Sequence, residues 1–62
     1  MFDVDIIFKD NSISPKYFSK LEKSPRIINE THTLEVVEDG DYYCFPLENI
    51  LEIHTEKYDI IN

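Results

Sequence analysis

The chain has 62 residues, with thirteen Asp and Glu against six Lys and Arg, for a formal net charge of −7. That length makes one domain, 1–62, with no room for a second, and it limits the core to a marginal size. The charge argues against direct nucleic-acid binding, since phosphates demand Lys and Arg, and against anionic membrane surfaces.

The N-terminus Met1-Phe2-Asp3-Val4-Asp5 lacks the basic start and apolar run of a signal peptide, and no apolar stretch is long enough for a membrane helix. Cys44 is the single cysteine, so no intrachain disulfide can form. A lone thiol fits a reducing cytoplasm, a host cytoplasm if the protein is viral. Asn29-Glu30-Thr31 matches a glycosylation sequon, which carries no weight without secretion. Small domains compensate for thin cores with disulfides, metals or self-association. With the first two disfavoured, a homo-oligomer gains weight.

In chain order, residues 2–9 read as a strand: Phe2, Val4, Ile6 and Phe8 alternate with Asp3, Asp5, Ile7 and Lys9. Asp10-Asn11-Ser12 reads as a turn. Residues 15–23 are predicted to be a short helix, with Ser14 as N-cap, Pro15 at the first helical position, and Tyr17, Phe18 and Leu21 sharing one face. Ser24-Pro25 stops it, and Arg26-Ile27-Ile28 is a short strand or an extended link. Residues 31–46 form a hairpin turned at Asp39-Gly40, the dipeptide that supplies positive φ to a type I′ turn. Its register sets Glu38 against Asp41, Val37 against Tyr42, Val36 against Tyr43, Glu35 against Cys44 and Leu34 against Phe45. Leu34, Val36, Tyr43 and Phe45 then form the inner face, and Glu35, Val37, Tyr42 and Cys44 the outer one. Leu47-Glu48-Asn49 makes a corner after Pro46. Residues 50–55 form the last strand, with Leu51 and Ile53 facing inward and Glu52 and His54 outward. Residues 57–62 are a tail whose Tyr58, Ile60 and Ile61 are apolar enough to add an edge strand or an interface. The expected fold is therefore α+β and β-rich: a small antiparallel sheet of four to five strands, with one short helix between strand 1 and the central hairpin. Phe2, Phe8, Phe18, Tyr43 and Phe45 are the expected aromatic core.

Charge is segregated along the chain. Residues 9–26 are net basic through Lys9, Lys16, Lys20, Lys23 and Arg26, whereas residues 27–56 hold eight carboxylates and no Lys or Arg. The plain interpretation is a solvated, solubilising surface. The sharper one is an acidic ridge that engages a basic protein surface, such as a nucleic-acid channel, with carboxylates imitating phosphates. Its candidate contacts are Glu35, Glu38, Asp39, Asp41, Glu48 and Glu52, with Tyr42 as an exposed anchor. Tyr42 is equally an ordinary cross-strand partner of Val37.

Catalytic and metal chemistry is not expected. A nucleophile needs a base and a group to orient it, yet the hairpin register puts Cys44 and His32 on opposite faces. His54 beside Glu52 is a common outcome of strand alternation. Cys44, His32 and His54 lack the paired spacing of a zinc site. Gly40 is the only glycine and serves the turn, so no phosphate loop exists.

Phe45-Pro46-Leu47-Glu48-Asn49-Ile50, following the Asp39-Gly40 hairpin and leading into a last strand, resembles small acidic phage and prophage proteins of low-GC Gram-positive bacteria. The resemblance covers mainly residues 31–55. It implies an accessory protein that binds and inhibits a host or defence protein, as anti-CRISPR proteins and acidic DNA mimics do. It carries over no binding residue. The alternative is a homo-oligomeric β protein that sequesters a small anionic ligand or nucleotide between subunits through Lys16, Lys20, Lys23 and Arg26. A virion assembly component is a third reading.

Overall fold

The computed structural model describes residues 1–60. Its strands are β1 (Phe2–Phe8), β2 (Lys16–Leu21), β3 (Arg26–Ile28), β4 (Thr33–Glu38), β5 (Asp41–Pro46) and β6 (Ile50–Lys57), with a 3₁₀ turn at Leu47–Asn49 before β6. They form two antiparallel three-stranded sheets, ordered β2-β1-β6 and β3-β4-β5. Ile61, whose apolarity suggests an edge strand or interface within the tail, and Asn62 lie outside the described residues.

The fold class is therefore all-β, which corrects the expected α+β arrangement: residues 15–23 are not a helix. β2 runs antiparallel to β1, pairing Ile6 with Lys16, Asp5 with Tyr17, Val4 with Phe18 and Phe2 with Leu21. Between the last two pairs, Ser19 and Lys20 oppose the single residue Asp3, which makes a β-bulge. The bulge re-aims the strand, so Phe18 and Leu21 both enter the core although they are three residues apart. Three is also the spacing of a helical face, so this bulged strand, preceded by Ser14-Pro15, imitates a capped helix in sequence. Tyr17 does not share their face; it is exposed on the far side of the sheet.

A second bulge falls in β6. Ile7 pairs with Glu52 and Phe8 with Ile50, leaving Leu51 as the extra residue. Leu51 is consequently 59 % exposed instead of facing inward, and Ile50 and Ile53 pack against the core in its place. β6 continues beyond the expected residue 55 to Lys57, and Met1 and Tyr58 then exchange two main-chain hydrogen bonds of 2.9 Å. The start of the expected tail therefore extends the β1–β6 ladder.

The hairpin has the predicted register throughout, from Glu38 opposite Asp41 to Leu34 opposite Phe45. Asp39 (φ 49°) and Gly40 (φ 83°) both occupy left-handed backbone, as a type I′ turn requires. A Cβ at Gly40 would meet nothing within 4 Å, so only backbone strain opposes a side chain there. Gly40→Ala should cost about 1–2 kcal/mol in urea unfolding, and Gly40→Asn less, since Asn tolerates this region.

The inner faces of both sheets meet in one cluster of Val4, Ile6, Phe8, Phe18, Leu21, Leu34 and Val36. Aromatic contacts cross between the sheets: Phe8 lies 5.8 Å from Phe45, and Phe18 lies 5.2 Å from Tyr43 and 6.1 Å from Phe45. The expected aromatic core is thus present, with Phe2 and Phe45 partly buried and Tyr43 half open at the rim. Residues 22–25 carry the chain from one sheet to the other, and Pro25 fits this corner because a ladder there needs no N–H from it.

Candidate functional site

The sandwich separates the acidic residues of 27–56 onto different surfaces. Glu35 and Tyr42 lie on the outer face of β3-β4-β5, in successive rows with Cys44 and Val37. Glu38 and Asp41 oppose each other at the hairpin end with the opposite facing, and Asp39 occupies the turn between them. Glu48 sits in the 3₁₀ turn and Glu52 on the other sheet. The expected ridge is therefore several separate groups. Glu35 is also held by Arg26, whose Nε donates to Oε1 at 3.0 Å across β3–β4, which takes that carboxylate's charge into a local pair.

The most connected carboxylate surface lies elsewhere, on the outer face of β2-β1-β6. The β1–β6 register sets Asp3 beside Glu56, Asp5 beside His54 and Ile7 beside Glu52. Because side chains alternate along a strand, all six point the same way. Their inward-facing neighbours Val4 and Ile6 are fully buried. Among the described residues, β1 and β6 bring no Lys or Arg to this face; Lys57 pairs with Phe2 on the inner side. Like charges directly opposite one another destabilise a sheet, so the Asp3–Glu56 pairing works against folding. The His54 Nε2–H donates to Glu52 Oε2 at 3.0 Å, with both groups well exposed.

Asp3 has a structural task that its sequence position does not reveal. Its Oδ1 accepts the main-chain N–H of Lys20 at 3.1 Å and the Tyr58 hydroxyl at 2.9 Å, and its Oδ2 accepts the Tyr17 hydroxyl at 3.1 Å. The carboxylate thus satisfies the N–H of the bulge residue, which has left-handed backbone (φ 57°), and ties it to the chain end. The Lys20 N–H is the main cause holding the Asp3 carboxyl below its ordinary value near 3.8, with the Tyr58 and Tyr17 hydroxyls adding to it against partial desolvation. Tyr17 is pushed above the ordinary value of 10 mainly by its hydrogen bond to Asp3; Tyr58 is pushed up mainly by desolvation, then by the same carboxylate.

The basic residues converge only in part. Lys20 and Lys23 line a cleft of about 440 Å³ with Val37, Asp39 and Tyr42. It adjoins a smaller one, about 190 Å³, that Arg26 and Glu35 share. Lys16 is at the far end of β2, opposite Ile6. The cations that would contact an anion therefore stand beside carboxylates, and one of them is already paired.

Cys44 is exposed on the outer face of one sheet and His54 on the outer face of the other, so the core separates them. His32 occupies the turn before β4 with φ 53°, where its carbonyl accepts the Leu47 N–H at 2.9 Å. Among the described residues, no three His, Cys, Asp or Glu side chains are grouped to hold a metal ion, and no helix is long and apolar enough to cross a membrane.

No protein-family model, curated protein or solved structure matches the chain. The class of molecule is thus defined by its own architecture: a small two-sheet β domain with a carboxylate-lined outer surface.

Proposed function

We propose that this chain is a small protein-binding module that presents the carboxylate face of β2-β1-β6 to a basic surface on a host or defence protein. In this reading it acts as an accessory inhibitor, the role that the phage-protein resemblance implies. The observation that supports it is the β1–β6 register, which gathers Asp3, Asp5, Glu52 and Glu56 on one rigid face despite the cost of like charges across strands. Along β6 the outward positions recur about every 7 Å, so Glu52 and Glu56 flank His54, and Asp5 and Asp3 stand across from His54 and Glu56 on β1. With a net charge of −7, the field steers a cationic partner into contact and raises its on-rate. Asp3 is committed to the bulge and Glu52 is bonded to His54, so Asp5 and Glu56 are the carboxylates of this face that meet a partner first, with the exposed Glu52 beside them. The hairpin end (Glu38, Asp39, Asp41) is a second, smaller acidic group for the same class of partner, and Tyr42 shares a cleft with Asp39 on its outer side.

Two isosteric variants separate these surfaces in a pull-down from host-cell lysate. One neutralises the sheet face (Asp5→Asn, Glu52→Gln, Glu56→Gln), and the other the hairpin end (Glu38→Gln, Asp39→Asn, Asp41→Asn). The partner should be captured by the native chain and the hairpin variant, with recovery falling about tenfold or more for the face variant. Equal recovery with all three chains would refute an electrostatic interface. Loss confined to the hairpin variant would move the site to residues 38–42.

A further inference from the structure

Two three-stranded sheets leave four edge strands, and three of them are protected. β2 is bent by its bulge, carries Lys16 and Lys20, and has the N–H of Lys20 capped by Asp3. β6 is bulged at Leu51 and carries Glu52, Glu56 and Lys57. β3 has three residues and follows Pro25. Bulges, charges, brevity and proline are the devices by which proteins keep sheet edges from pairing.

β5 has none of these between its ends. Its residues Tyr42, Tyr43, Cys44 and Phe45 are uncharged, pair with β4 without a bulge, and are exposed from Asp41 to Cys44, with Tyr42 at 70 %. A two-residue turn closes on a hydrogen-bonded pair, here Glu38 and Asp41, and such pairs alternate along an antiparallel ladder. Tyr43 and Phe45 therefore bond to β4, while Tyr42 and Cys44 direct their N–H and C=O groups outward. No backbone partner meets those groups among the described residues. Pro46, which has no N–H, falls on an outward position and ends the edge without a loss to the hairpin.

We propose that the β5 edge pairs with the β5 edge of a second copy of this chain, antiparallel about a two-fold axis at Tyr43. In that register Tyr42 exchanges both main-chain hydrogen bonds with Cys44 of the second copy, and Cys44 does the same with the second copy's Tyr42. Each Asp41 then faces a Phe45, so no carboxylate opposes another. The acidic hairpin ends point in opposite directions, which suits two chains of charge −7. The result is one continuous six-stranded sheet. It leaves the carboxylate face of the other sheet open on both copies, so the dimer stands or falls independently of the proposed partner.

Light scattering and sedimentation over a wide concentration range, with reductant present so that a Cys44 disulfide cannot contribute, test this directly. The mass should rise with concentration from 7.4 kDa to twice that value, and the Tyr42 and Cys44 amides should exchange more slowly as it does. Cys44→Lys, an edge charge on an exposed side chain, should weaken association at least tenfold, whereas Thr55→Lys on β6 should not. Tyr42→Lys repeats the test should Cys44→Lys fail to fold. A native chain that remains a monomer overturns the proposal. So does a dimer insensitive to these β5 charges, or one in which the Tyr42 and Cys44 amides gain no protection.

Discussion

Ile6→Ala should leave the chain close to or beyond its unfolding threshold at room temperature. Ile6 is fully buried at the centre of β1, the strand flanked by both β2 and β6, and is among the largest side chains with no exposed surface. Truncating a buried isoleucine to alanine removes transfer free energy and leaves a cavity, about 2–5 kcal/mol together. Stabilities run at roughly 0.05–0.15 kcal/mol per residue, so a chain of 62 residues holds about 3–9 kcal/mol in total, and a thin core places it toward the lower end. Thermal unfolding followed by circular dichroism should show a midpoint lowered by more than about 10 °C. Ile27→Ala is the matched control: Ile27 is 56 % exposed on the short strand β3, and surface changes of this kind stay within about 0.5 kcal/mol. Equal losses from the two substitutions would mean that the core is not where the sheets place it.

The second large effect is a two-sided pH dependence that passes through Asp3. Its carboxyl is held below its ordinary value chiefly by the Lys20 N–H, so the folded chain favours the ionised form. A lowered folded pKa contributes stability that is present above the ordinary carboxyl value near 3.8 and is lost as pH falls through the folded value. At the alkaline end the sign reverses. Tyr17 and Tyr58 are raised above 10, because each phenolate would form beside the Asp3 carboxylate, with desolvation leading for Tyr58. Their contribution is present below 10 and is lost as pH rises through their folded values. Asp3→Asn should therefore lower stability most between those limits. It should also flatten both the acid and the alkaline limbs, read from urea midpoints across pH. A spectrophotometric tyrosine titration should show the two hydroxyls returning toward ordinary behaviour. Asp10 is a useful contrast: it too is lowered, mainly by the Ser12 hydroxyl, but that bond is confined to a surface turn. Asp10→Asn should leave the alkaline limb unchanged. Parallel pH profiles for Asp3→Asn and the native chain would remove Asp3 from its place as the tie between the bulge and the chain end.

Legibility in the sequence followed the range of the interaction. β1 alternates strictly, and its inward set Phe2, Val4, Ile6 and Phe8 is the set found packed in the core. The Asp39-Gly40 turn is a local steric requirement, and it set five cross-strand pairs correctly because a two-residue loop permits a single register. The Asp10 turn was legible for the same reason: a short side chain accepts the N–H two residues on. The bulges were not legible. An extra residue in a strand shifts every later side chain to the other face, so Phe18 with Leu21, and Ile50 with Ile53, acquired a spacing of three. In the first case that spacing imitated a helix; in the second it put Leu51 on the wrong side.

The candidate site divides along the same line. That Asp3, Asp5, Glu52 and His54 face outward is a consequence of alternation within each strand. That they form one surface depends on β6 pairing with β1 across nearly the whole chain, a contact no local pattern encodes. By itself the sequence determined the small core, the hairpin and its register, and the net acidity of residues 27–56. Only the tertiary structure decided which carboxylates are neighbours, that Asp3 secures a bulge, and that β5 is left as the unprotected edge. The physical reason is that periodicity and turn sterics act over a few residues. Sheet order and bulge position are instead set by which distant strands bury the most apolar surface together.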